Sequence, residues 1–492
     1  MLLGIDLGTS SVKAALIQPD GRCLAVGSQP YGIDTPQSGW AEQDPEVWVQ
    51  AACRATRLAL AVAGARPEQV AALSFSGQMH GVVCLDAHGA VLRPAIIWAD
   101  QRSLYEVREV MTTAGRERLA AWTGNPVDTG FMLPSWLWLR RHEPEVAAKT
   151  MQLLLPKDFV RYRLTGEPAT EPSDAGSTAL FNPALGRWSA PILETFGIGP
   201  ALLPPVLASD AVAGHLQAGA AAEMGLAART PVIAGGGDQA CQALGNGILA
   251  SGDVSCTIGT GGQLLAPATV PTPDAGLRLH LYNHVVPGLW YHMGAILAAG
   301  LSLTWLRDCF FAGAPPQQMA DWASQAPAGA EGLFFLPHLA GERTPHMDPH
   351  ARAAFVGLTV RHRREHMLRA VMEGVVFALR QALDLMTNLG VDARRIVASG
   401  GGAQHPLWLQ LQADIFDRPI HRTETGEAAA VGAAMLAGIG IGLYRDAVDA
   451  VGQVVRWRDE VILPNPSRVE RYRRSYAIYE RLYPSLATTS PV

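Results

Sequence analysis

The chain is 492 residues long, with 48% hydrophobic residues, 17% charged residues and a formal net charge of −5. This length exceeds one ordinary hydrophobic core, so we expect at least two domains, and the composition excludes a mostly disordered protein. The slightly negative charge gives no electrostatic reason to expect nucleic acid or an anionic membrane as a partner.

The cysteines and the apolar segments indicate a reducing compartment. The six cysteines include no CxxC pair and most lie among apolar neighbours, which predicts buried free thiols and no disulfide or zinc framework. No uncharged apolar run reaches the roughly 18 residues that a membrane span needs, and the N-terminus enters a strand without a basic and apolar leader. We therefore expect a cytoplasmic protein.

The first part of the chain predicts a three-stranded meander followed by alternating helices and strands. Residues 2–17 form a predicted hairpin around Gly8-Thr9-Ser10, and a third strand covers 23–29. Asp44-Pro45 predicts a helix start, because Asp caps helices and Pro is favoured at the first helical position, and this helix runs to about Val62. Short apolar strands are predicted at 70–75, 82–85, 95–98 and, after a helical and loop-rich stretch, 231–234.

The same order of elements returns in the second half. Strands restart at Val254, a long amphipathic helix is predicted over 366–389, a strand over 396–399 and a final helix over 467–482. The repeat predicts two related α/β domains, 1–244 and 245–492, with the last few residues frayed.

One short pattern occurs in each predicted domain: a β-branched strand, a Gly-Thr turn and a second apolar strand. The turns are Gly8-Thr9 and Gly259-Thr260, 251 positions apart. Turns with little side chain let backbone N–H groups approach phosphate oxygens closely, so the two turns are predicted to close on one phosphate chain.

Two aspartates lie at predicted strand ends. Asp6 lies within an apolar strand, where an unpaired carboxylate is costly; it is predicted either as a Mg²⁺ ligand serving ATP phosphates or as a turn acid bonded to nearby N–H groups. Asp238 follows Gly235-Gly236-Gly237 at a strand end, where ligands collect in α/β sheets. Asp238 is predicted to accept a proton from a substrate hydroxyl, and could also cap the helix predicted over 239–249.

Further polar or glycine-rich segments follow strands, and each has two interpretations. Gln78-Met79-His80 could bind sugar hydroxyls, although a lone His is more often structural. Lys13 could reach a phosphate or an acid, or be a surface lysine. Gly400-Gly401-Gly402 could let adenosine lie against the backbone, or be only a turn. The cluster over 98–102 could line the cleft or form an ion pair in a loop.

Several common catalytic motifs do not occur in the sequence. The chain has no GxxxxGK[ST], no HRD and DFG set, no HExxH and no GxSxG, which excludes P-loop, protein-kinase, zinc-protease and typical esterase sites. Two phosphate turns, a metal-binding acid and a base form the constellation of phosphoryl transfer by positioning and charge stabilisation.

Six segments, spread over nearly the whole chain, have a recognisable pattern. They are Gly4-Ile5-Asp6-Leu7-Gly8-Thr9-Ser10, Ser38-Gly39-Trp40-Ala41-Glu42-Gln43-Asp44-Pro45, Gly77-Gln78-Met79-His80-Gly81, Gly235-Gly236-Gly237-Asp238, Gly341-Glu342-Arg343-Thr344-Pro345-His346 and the stretch 357–374. In these segments the chain resembles the FGGY family of carbohydrate kinases, and within it most of all the xylulose-phosphorylating members.

The resemblance implies an α/β kinase of two actin-like ATPase (ribonuclease-H-like) domains that uses ATP and Mg²⁺ in an interdomain cleft, and closes on its sugar to exclude water. It implies Asp238 as the catalytic base, Asp6 near the metal, and Met79 and His80 as the sugar-contacting pair. Gln78 and Gln239 are predicted as further sugar contacts and Asp238 as a second residue beside the metal. Relatives are often homodimers. The predicted nucleotide-binding positions are Thr9, Ser10, Lys13, Gly259, Thr260, Gly300, Gly401 and Gly402.

Three places depart from the family pattern. Gln239 follows the base where xylulose-phosphorylating members commonly have Asn, so sugar preference could shift. Ser135 stands where the family often has Lys, and Gln404-His405 follow the Gly triplet, so contacts to adenine could differ.

The leading hypothesis is ATP-dependent phosphorylation of D-xylulose to D-xylulose 5-phosphate in xylose catabolism. The nearest alternative is a sibling kinase for L-ribulose, D-ribulose or another polyol. A different class is a non-catalytic sugar sensor switched by nucleotide. Such a sensor could lose Asp238 or the Met79-His80 pair, and both are present here.

Overall fold

The computed structural model describes residues 1–487, so the frayed end predicted for the chain lies outside the described residues. Strands from the two halves of the chain build two separate main sheets. The strands of the first half are β1 (Leu2–Leu7), β2 (Ser11–Ile17), β3 (Cys23–Pro30), β4 (Glu42–Gln43), β5 (Ala72–Gly77), β6 (Val83–Leu85), β7 (Ala95–Ile96), β8 (Gln152–Leu154), β9 (Phe181–Asn182), β10 (Arg187–Trp188), β11 (Val212–His215), β12 (Pro231–Ile233) and β13 (Gly236–Gly237). Those of the second half are β14 (Asp253–Ile258), β15 (Gly262–Ala268), β16 (His280–Asn283), β17 (Trp290–Ile296), β18 (Phe334–Leu336), β19 (Ala354–Val356), β20 (Arg395–Gly400) and β21 (Ile420–His421).

Helices surround both sheets and fill the stretch between β7 and β11. The helices of the first half are α1 (Pro45–Ala63), α2 (Leu104–Ala114), α3 (Arg116–Thr123), α4 (Met132–His142), α5 (Pro144–Lys149), α6 (Pro156–Thr165), α7 (Pro172–Ala175), α8 (Ala190–Phe196), α9 (Ala218–Met224) and α10 (Asp238–Gly245). Those of the second half are α11 (Gly300–Phe310), α12 (Pro316–Ser324), α13 (Arg364–Asn388), α14 (Pro406–Phe416), α15 (Ala428–Gly440), α16 (Ala447–Val454) and α17 (Pro466–Ala487). Short 3₁₀ segments cover Pro67–Gln69, Gly176–Thr178, Pro200–Leu202, Ala330–Gly332 and Gly401–Ala403.

The two main sheets share the arrangement of five strands, and each has a further edge strand without a counterpart, β11 beside β12 in the first and β16 beside β17 in the second. The first has the order β11-β12-β5-β1-β2-β3, with β1, β2 and β3 antiparallel and β5 parallel to both β1 and β12. The second has the order β16-β17-β15-β14-β20-β21, with β14, β15 and β17 antiparallel and β20 parallel to both β14 and β21. This duplicated mixed sheet confirms the predicted actin-like, ribonuclease-H-like fold class.

Several predicted elements are confirmed and others differ. Helix α1 begins at Pro45, and Asp44 caps it by accepting the Glu46 N–H at 3.0 Å. Strand β5 begins two residues later than predicted and continues to Gly77, because Ser76 and Gly77 still pair with β1. The strands predicted at 82–85 and 95–98 do form, but they lie in separate two-stranded ladders outside the main sheet. The second meander is interrupted, since β16 forms at the sheet edge before β17 joins β15.

Helices α10 and α15 join the two halves. A Cβ on Gly245 would lie 2.0 Å from the Ala428 carbonyl oxygen, and one on Gly432 would lie 1.9 Å from that of Cys241, so only glycine allows this close helix crossing. Helix α15 also packs on β1 and β5, which gives the halves a shared apolar core. The boundary predicted between residues 244 and 245 falls at the end of α10 and stays a prediction.

The cysteines are free, as predicted, but not all of them are buried. All six cysteines are free; four are buried, and Cys23 and Cys309 are exposed. Across residues 1–487, no helix is long and apolar enough to cross a membrane.

Candidate active site

The ends of three neighbouring strands meet around Asp6. Asp6 of β1 lies opposite Ser76 of β5, and Ser76 lies opposite Gly236 of β13. Ser76 Oγ donates to Asp6 Oδ1 at 2.7 Å. Burial raises the pKa of Asp6, whereas the Ser76 hydroxyl and the Lys13 ammonium lower it. The Ser76 hydroxyl therefore anchors the Asp6 carboxylate at the strand end. Among the described residues the donor to this carboxylate is a hydroxyl, and the alternative prediction of a turn acid held by N–H groups does not describe it.

Asp238 is the first residue of α10 and directly follows β13. Gly237 occupies the N-cap position, so the prediction that Asp238 could cap the helix is wrong; the helix also ends at Gly245, four residues before the predicted end. Asp238 keeps some exposure, although protein surrounds it closely. This burial, followed by the charge of Asp6, raises the pKa of Asp238 to about 7, against hydrogen bonding from Gln239. A carboxylate that titrates near neutrality can act as a general base.

Asp6 and Asp238 form a donor set that fits Mg²⁺. This ion is usually held by one or two carboxylates, with water and substrate phosphates completing its shell. Burial is the main cause of the raised pKa of Asp238, and the charge of Asp6 adds to it; a divalent cation beside both carboxylates would offset the second cause. Within residues 1–487, no three His, Cys, Asp or Glu side chains cluster closely enough to hold a metal by themselves.

His80 is held as a neutral ring with a defined tautomer. Ser177 accepts twice from it: its Oγ from the His80 N–H at 2.9 Å, and its carbonyl oxygen from Nδ1 at 2.6 Å. Because a carbonyl oxygen can only accept, Nδ1 carries the proton and Nε2 is left as an acceptor. The ring stacks on Phe131 with centroids 3.9 Å apart. Burial lowers the pKa of His80 to about 3.

Gln78 and Met79 lie next to the strand ends that carry the two aspartates. The Gln78 N–H donates to the Leu7 carbonyl oxygen at 2.7 Å, and its Nε2 donates to Gln43 Oε1 at 3.1 Å. Gln78 Oε1 is buried without a hydrogen-bond partner among the described residues. A Cβ on Gly237 would lie 3.0 Å from Met79 Cγ, so Met79 packs against the residue before Asp238. The structure thus brings the predicted sugar contacts and the predicted base together.

The first Gly-Thr turn is held by surrounding side chains. Trp98 Nε1 donates to Thr9 Oγ1 at 2.8 Å, Gln43 Nε2 donates to the Thr9 carbonyl oxygen at 2.7 Å, and the Tyr31 hydroxyl donates to the Gly8 carbonyl oxygen. Ser10 is exposed beside them. The backbone of the turn is therefore fixed in place before any ligand arrives.

Lys13 connects the two halves of the molecule. Its Nζ lies 2.7 Å from Oε2 of Glu427, the residue that precedes α15. The pairing of β1 with β2 also places Lys13 opposite Asp6. Lys13 is thus paired with an acid, which one of its two predicted interpretations allowed, and its predicted contact to phosphate stays a prediction.

The predicted nucleotide residues of the second half share one cavity. A cavity of about 240 Å³ is lined by Gly259, Thr260, Gly300, Gly401 and Gly402, together with apolar side chains that include Leu303, Met319 and Trp408. The Gly300 N–H donates to the Gly259 carbonyl oxygen at 2.8 Å, and the Leu301 N–H to that of Thr260 at 3.0 Å, so the turn is tied to the start of α11. Glycine edges and apolar walls suit a flat ring system.

The residues of the segment 98–102 do not all follow the same one of the two predicted interpretations, a cleft lining or a loop ion pair. Asp100 and Arg102 form the loop ion pair at 2.7 Å, and the Arg102 guanidinium stacks over Trp40 at 3.6 Å. Trp98 instead contacts the phosphate turn.

The structure shows the burial and the hydrogen bonds of positions that depart from the family pattern. Ser135 is buried on α4, and its hydroxyl has no partner among the described residues. His405 caps α14, because its Nδ1 accepts the Leu407 N–H at 3.0 Å. Gln239 is half-buried in the first turn of α10.

Comparison with known proteins decides the family. Residues 1–245 match the N-terminal domain of the FGGY family of carbohydrate kinases, and residues 254–441 match its C-terminal domain. This chain belongs to the FGGY carbohydrate kinases. A xylulose kinase of Bacillus subtilis (strain 168) is 39% identical over 98% of this chain and 96% of its own length.

Solved structures of other sugar kinases have the same fold. The crystal structure of xylulose kinase from Rhodospirillum rubrum superposes with a TM-score of 0.91 at 33% identity, covering 99% of both chains. That of gluconate kinase from Lactobacillus acidophilus superposes with a TM-score of 0.94 at 28% identity, covering 99% of this chain and 98% of its own. The resemblance and the fold class predicted from sequence are confirmed, and this FGGY kinase is a sugar kinase that uses ATP.

Sequence reasoning missed two features of the FGGY kinase site. Arg343 of the second half reaches across to Asp128 of the first at 3.0 Å, and both charges act on the pKa of His80. A set of charged residues is buried beneath the site, centred on Lys157. The available signal for this set was a group of charged side chains between apolar stretches of 153–181.

Proposed function

We propose that this FGGY kinase phosphorylates D-xylulose with ATP, giving D-xylulose 5-phosphate and ADP. The observation that carries the proposal is Asp238, whose pKa of about 7 suits a base and which directly follows Gly237, the residue that packs against Met79 of the Gln78-Met79-His80 segment. The relatives named xylulose kinase support the choice of sugar.

Asp238 is proposed to take the proton from the terminal hydroxyl of the sugar while the oxygen attacks the γ-phosphorus. His80 would accept a hydrogen bond from a second hydroxyl through Nε2, and the unpartnered Gln78 Oε1 could accept another. Met79 supplies an apolar contact, and Gln239 borders the same site. A site that satisfies hydroxyls one by one rejects sugars that lack them.

The nucleotide is proposed to bind mainly to the second half. The cavity beside Gly401-Gly402 and Gly300 would take the adenosine, and the two Gly-Thr turns, with Ser10 and Lys13, would contact the phosphates. Mg²⁺ would be held by Asp6 and Asp238, often through water, and would neutralise charge on the phosphates. Closure of the halves would exclude water from the transfer.

The substrate test is ADP release driven by Mg·ATP with D-xylulose, L-ribulose, D-ribulose, D-gluconate and glycerol, each with wild type and Asp238→Ala. A strong preference for D-xylulose that disappears in Asp238→Ala supports the proposal. A preference for another acceptor keeps the mechanism but moves the substrate, and we would then examine Gln239→Asn. Nucleotide binding without release of ADP on any sugar would favour a sensor.

Two further parts of the proposal concern the oligomeric state and the cellular compartment. We propose a homodimer, because relatives often form one, and a reducing compartment such as the cytoplasm, which the six free cysteines favour. Light scattering of the purified protein and fractionation of its host cell would check them.

A further inference from the structure

A set of charged side chains lies fully buried beneath the active site. Lys157 Nζ lies 2.8 Å from Asp158, 3.2 Å from Asp174 and 3.4 Å from Glu171, and Arg161 lies 3.3 Å from Asp158. All five side chains are fully shielded from solvent. We call these five residues the buried charge cluster. Burying ions is costly even when they are paired, so their presence here needs a reason other than stability.

The cluster is close to neutral as a unit. It has two cations and three carboxylates, and burial raises the pKa of Asp174 well above its usual range, with the charges of Asp158 and Glu171 adding and Lys157 opposing. Burial lowers the pKa of Lys157, but the carboxylates Asp158, Asp174 and Glu171 outweigh it and hold that pKa above its usual value. A proton on Asp174 would balance the remaining charges.

Glu171 connects the cluster to the first turn of α7. Its carboxylate accepts the N–H groups of Ser173 at 2.8 Å and Asp174 at 2.9 Å. It also accepts from the hydroxyls of Ser173 at 2.8 Å and Ser209 at 2.7 Å. Because these bonds come from both backbone and side chains, Glu171 fixes the position of the Ser173 hydroxyl.

The Ser173 hydroxyl connects the cluster to the base. Ser173 Oγ accepts the N–H of Gly237 at 2.9 Å, and Gly237 is the residue immediately before Asp238. Gly237 also pairs with Gly77 at the end of β5, where a Cβ would lie only 2.6 Å from Lys157 Cβ. The start of α10 is thus held between the sheet and the cluster.

A second chain of contacts leads to the sugar side. Ser177 Oγ donates to the Asp174 carbonyl oxygen at 2.7 Å and accepts the His80 N–H at 2.9 Å. His80 has φ of 67°, a left-handed conformation that a residue with a side chain adopts only when its surroundings hold it there. One short segment, residues 171–177, therefore contacts both sides of the reaction centre.

We propose that the buried charge cluster positions the two reacting sides of the site: Glu171 places Asp238 through Ser173, and Asp174 places His80 through Ser177. These are positioning residues, since they act through other residues and not on the sugar. The inference rests on the proposed function for the roles of Asp238 and His80, but the contacts themselves do not depend on the identity of the sugar.

The first test needs no substrate. Amide hydrogen exchange of the full-length protein is measured for wild type, Ser173→Ala and Ser177→Ala. Loss of one neutral hydrogen bond corresponds to about a threefold to tenfold change, so Ser173→Ala should speed exchange at Gly237 and Ser177→Ala should speed it at His80, each by about that factor. Unchanged exchange at both amides would overturn the proposal.

The second test separates positioning from general support. On whichever sugar the wild type phosphorylates best, Ser173→Ala should lower kcat about threefold to tenfold with little change in the sugar KM. Ser177→Ala should raise the sugar KM by a similar factor with little change in kcat. Ser173→Thr and Ser177→Thr, which keep the hydroxyl, should restore at least half of each loss.

Ser209→Ala is the matched control, because it also removes a buried hydroxyl that donates to Glu171 but contacts neither Gly237 nor His80 in the hydrogen bonds described. It should lower the melting temperature and leave kcat, KM and exchange at both amides close to wild type. If all three alanine variants behave alike, the cluster only supports the fold and the proposal fails. If the wild type phosphorylates no sugar, the proposed function fails, and the exchange test still decides this inference.

Discussion

The two Gly-Thr turns each connect a pair of antiparallel strands but differ in length and in their surroundings: four residues separate Leu7 from its partner Val12, and three separate Ile258 from its partner Gly262. The Gly8 N–H donates to the Ser11 carbonyl oxygen at 3.0 Å, and the Gly259 N–H donates to that of Gly261 at 2.9 Å. Side chains hold the first turn on several sides, among them Trp98 and Gln43. The second turn instead borders the cavity of about 240 Å³. A Gly-Thr turn is thus enclosed by side chains in one half and borders a cavity in the other.

The residues two positions before each turn, Asp6 and Thr257, also differ in charge. In the first sheet, Ser76 Oγ donates to the Asp6 carboxylate at 2.7 Å. At the equivalent place in the second sheet, Thr257 and Ser399 share a hydroxyl-to-hydroxyl bond of 2.7 Å. A carboxylate therefore stands in one half where a neutral hydroxyl stands in the other. This difference fits the proposal that proton transfer takes place in the first half and that the nucleotide binds mainly to the second.

The largest effect should come from the base of the first half. Asp238→Asn keeps the shape of the side chain but cannot accept a proton, so kcat should fall by about 10²-fold to 10⁴-fold while the ATP KM stays within about threefold. Steady-state kinetics on the preferred sugar checks both values. A kcat within a few-fold of wild type would contradict the role of Asp238 and the division between the halves.

The role of Asp238 as a base also predicts the direction in which kcat/KM changes with pH. Asp238 must be deprotonated to act, and burial raises its pKa to about 7. The wild-type kcat/KM for the sugar should therefore approach its plateau above pH 7 and fall as the pH drops through this value. A bound cation would move the midpoint of this fall to lower pH. The residual activity of Asp238→Asn should lack this acidic limb, and persistence of the same limb would assign it to another group.

A bulky side chain in the cavity should affect the second half alone. Thr304 is exposed and lines the cavity, so Thr304→Trp fills it without burying a polar partner. We expect the ATP KM to rise about tenfold or more and the sugar KM to change little. Cys309→Trp is the control, because Cys309 is exposed on the same helix but does not line the cavity. An equal rise in the ATP KM for both variants would contradict the assignment.

Features that depend on local pattern could be predicted from sequence. The Gly-Thr turns, the Asp44-Pro45 helix start and the buried stripe of Val469, Tyr472, Tyr476 and Tyr479 on the last helix follow from local spacing and capping, and the structure contains them. The duplicated sheet could be predicted because the same order of elements occurs twice in the chain.

Features that depend on distant residues could not be predicted. The extension of β5 to Gly77 depends on its pairing with Leu7, seventy positions away, and the pair of Lys13 with Glu427 joins residues 414 positions apart. Asp238 was assigned a possible capping role because Asp is a good cap, but β13 places Gly237 at that position instead. The buried charge cluster contradicts the simple rule that charged residues face solvent, so only its three-dimensional partners explain it.

A smaller effect on kcat should distinguish the equivalent hydroxyls of Ser76 and Ser399. Ser76→Ala removes the donor that lowers the pKa of Asp6, so that carboxylate should be harder to ionise and kcat should fall about threefold to tenfold. Ser399→Ala breaks the matching bond in the second half, where no carboxylate is involved, and should leave kcat within about twofold. Kinetics of both variants at pH 6.5 and 8 checks this, and similar losses of kcat in both would contradict the comparison.

The smallest effect should come from the ion pair that joins the halves. Lys13 and Glu427 are both about one-third exposed, so their attraction is screened and should contribute less than about 1 kcal/mol to the free energy of unfolding. Glu427→Gln frees the ammonium group for phosphate and removes a negative charge near Asp6, so the ATP KM should fall about twofold to threefold. Lys13→Gln should raise it.

The control for this pair is Glu424→Gln, which removes a nearby exposed carboxylate outside the pair. It should leave the ATP KM unchanged if contact, and not net charge, decides the effect. High salt screens exposed pairs, so the difference between Glu427→Gln and wild type should shrink when the ionic strength is raised to about 0.5 M. A fall in the ATP KM that is equal in both variants, or that is insensitive to salt, would mean that Lys13 is not held back by Glu427 and that this pair does not couple the two halves.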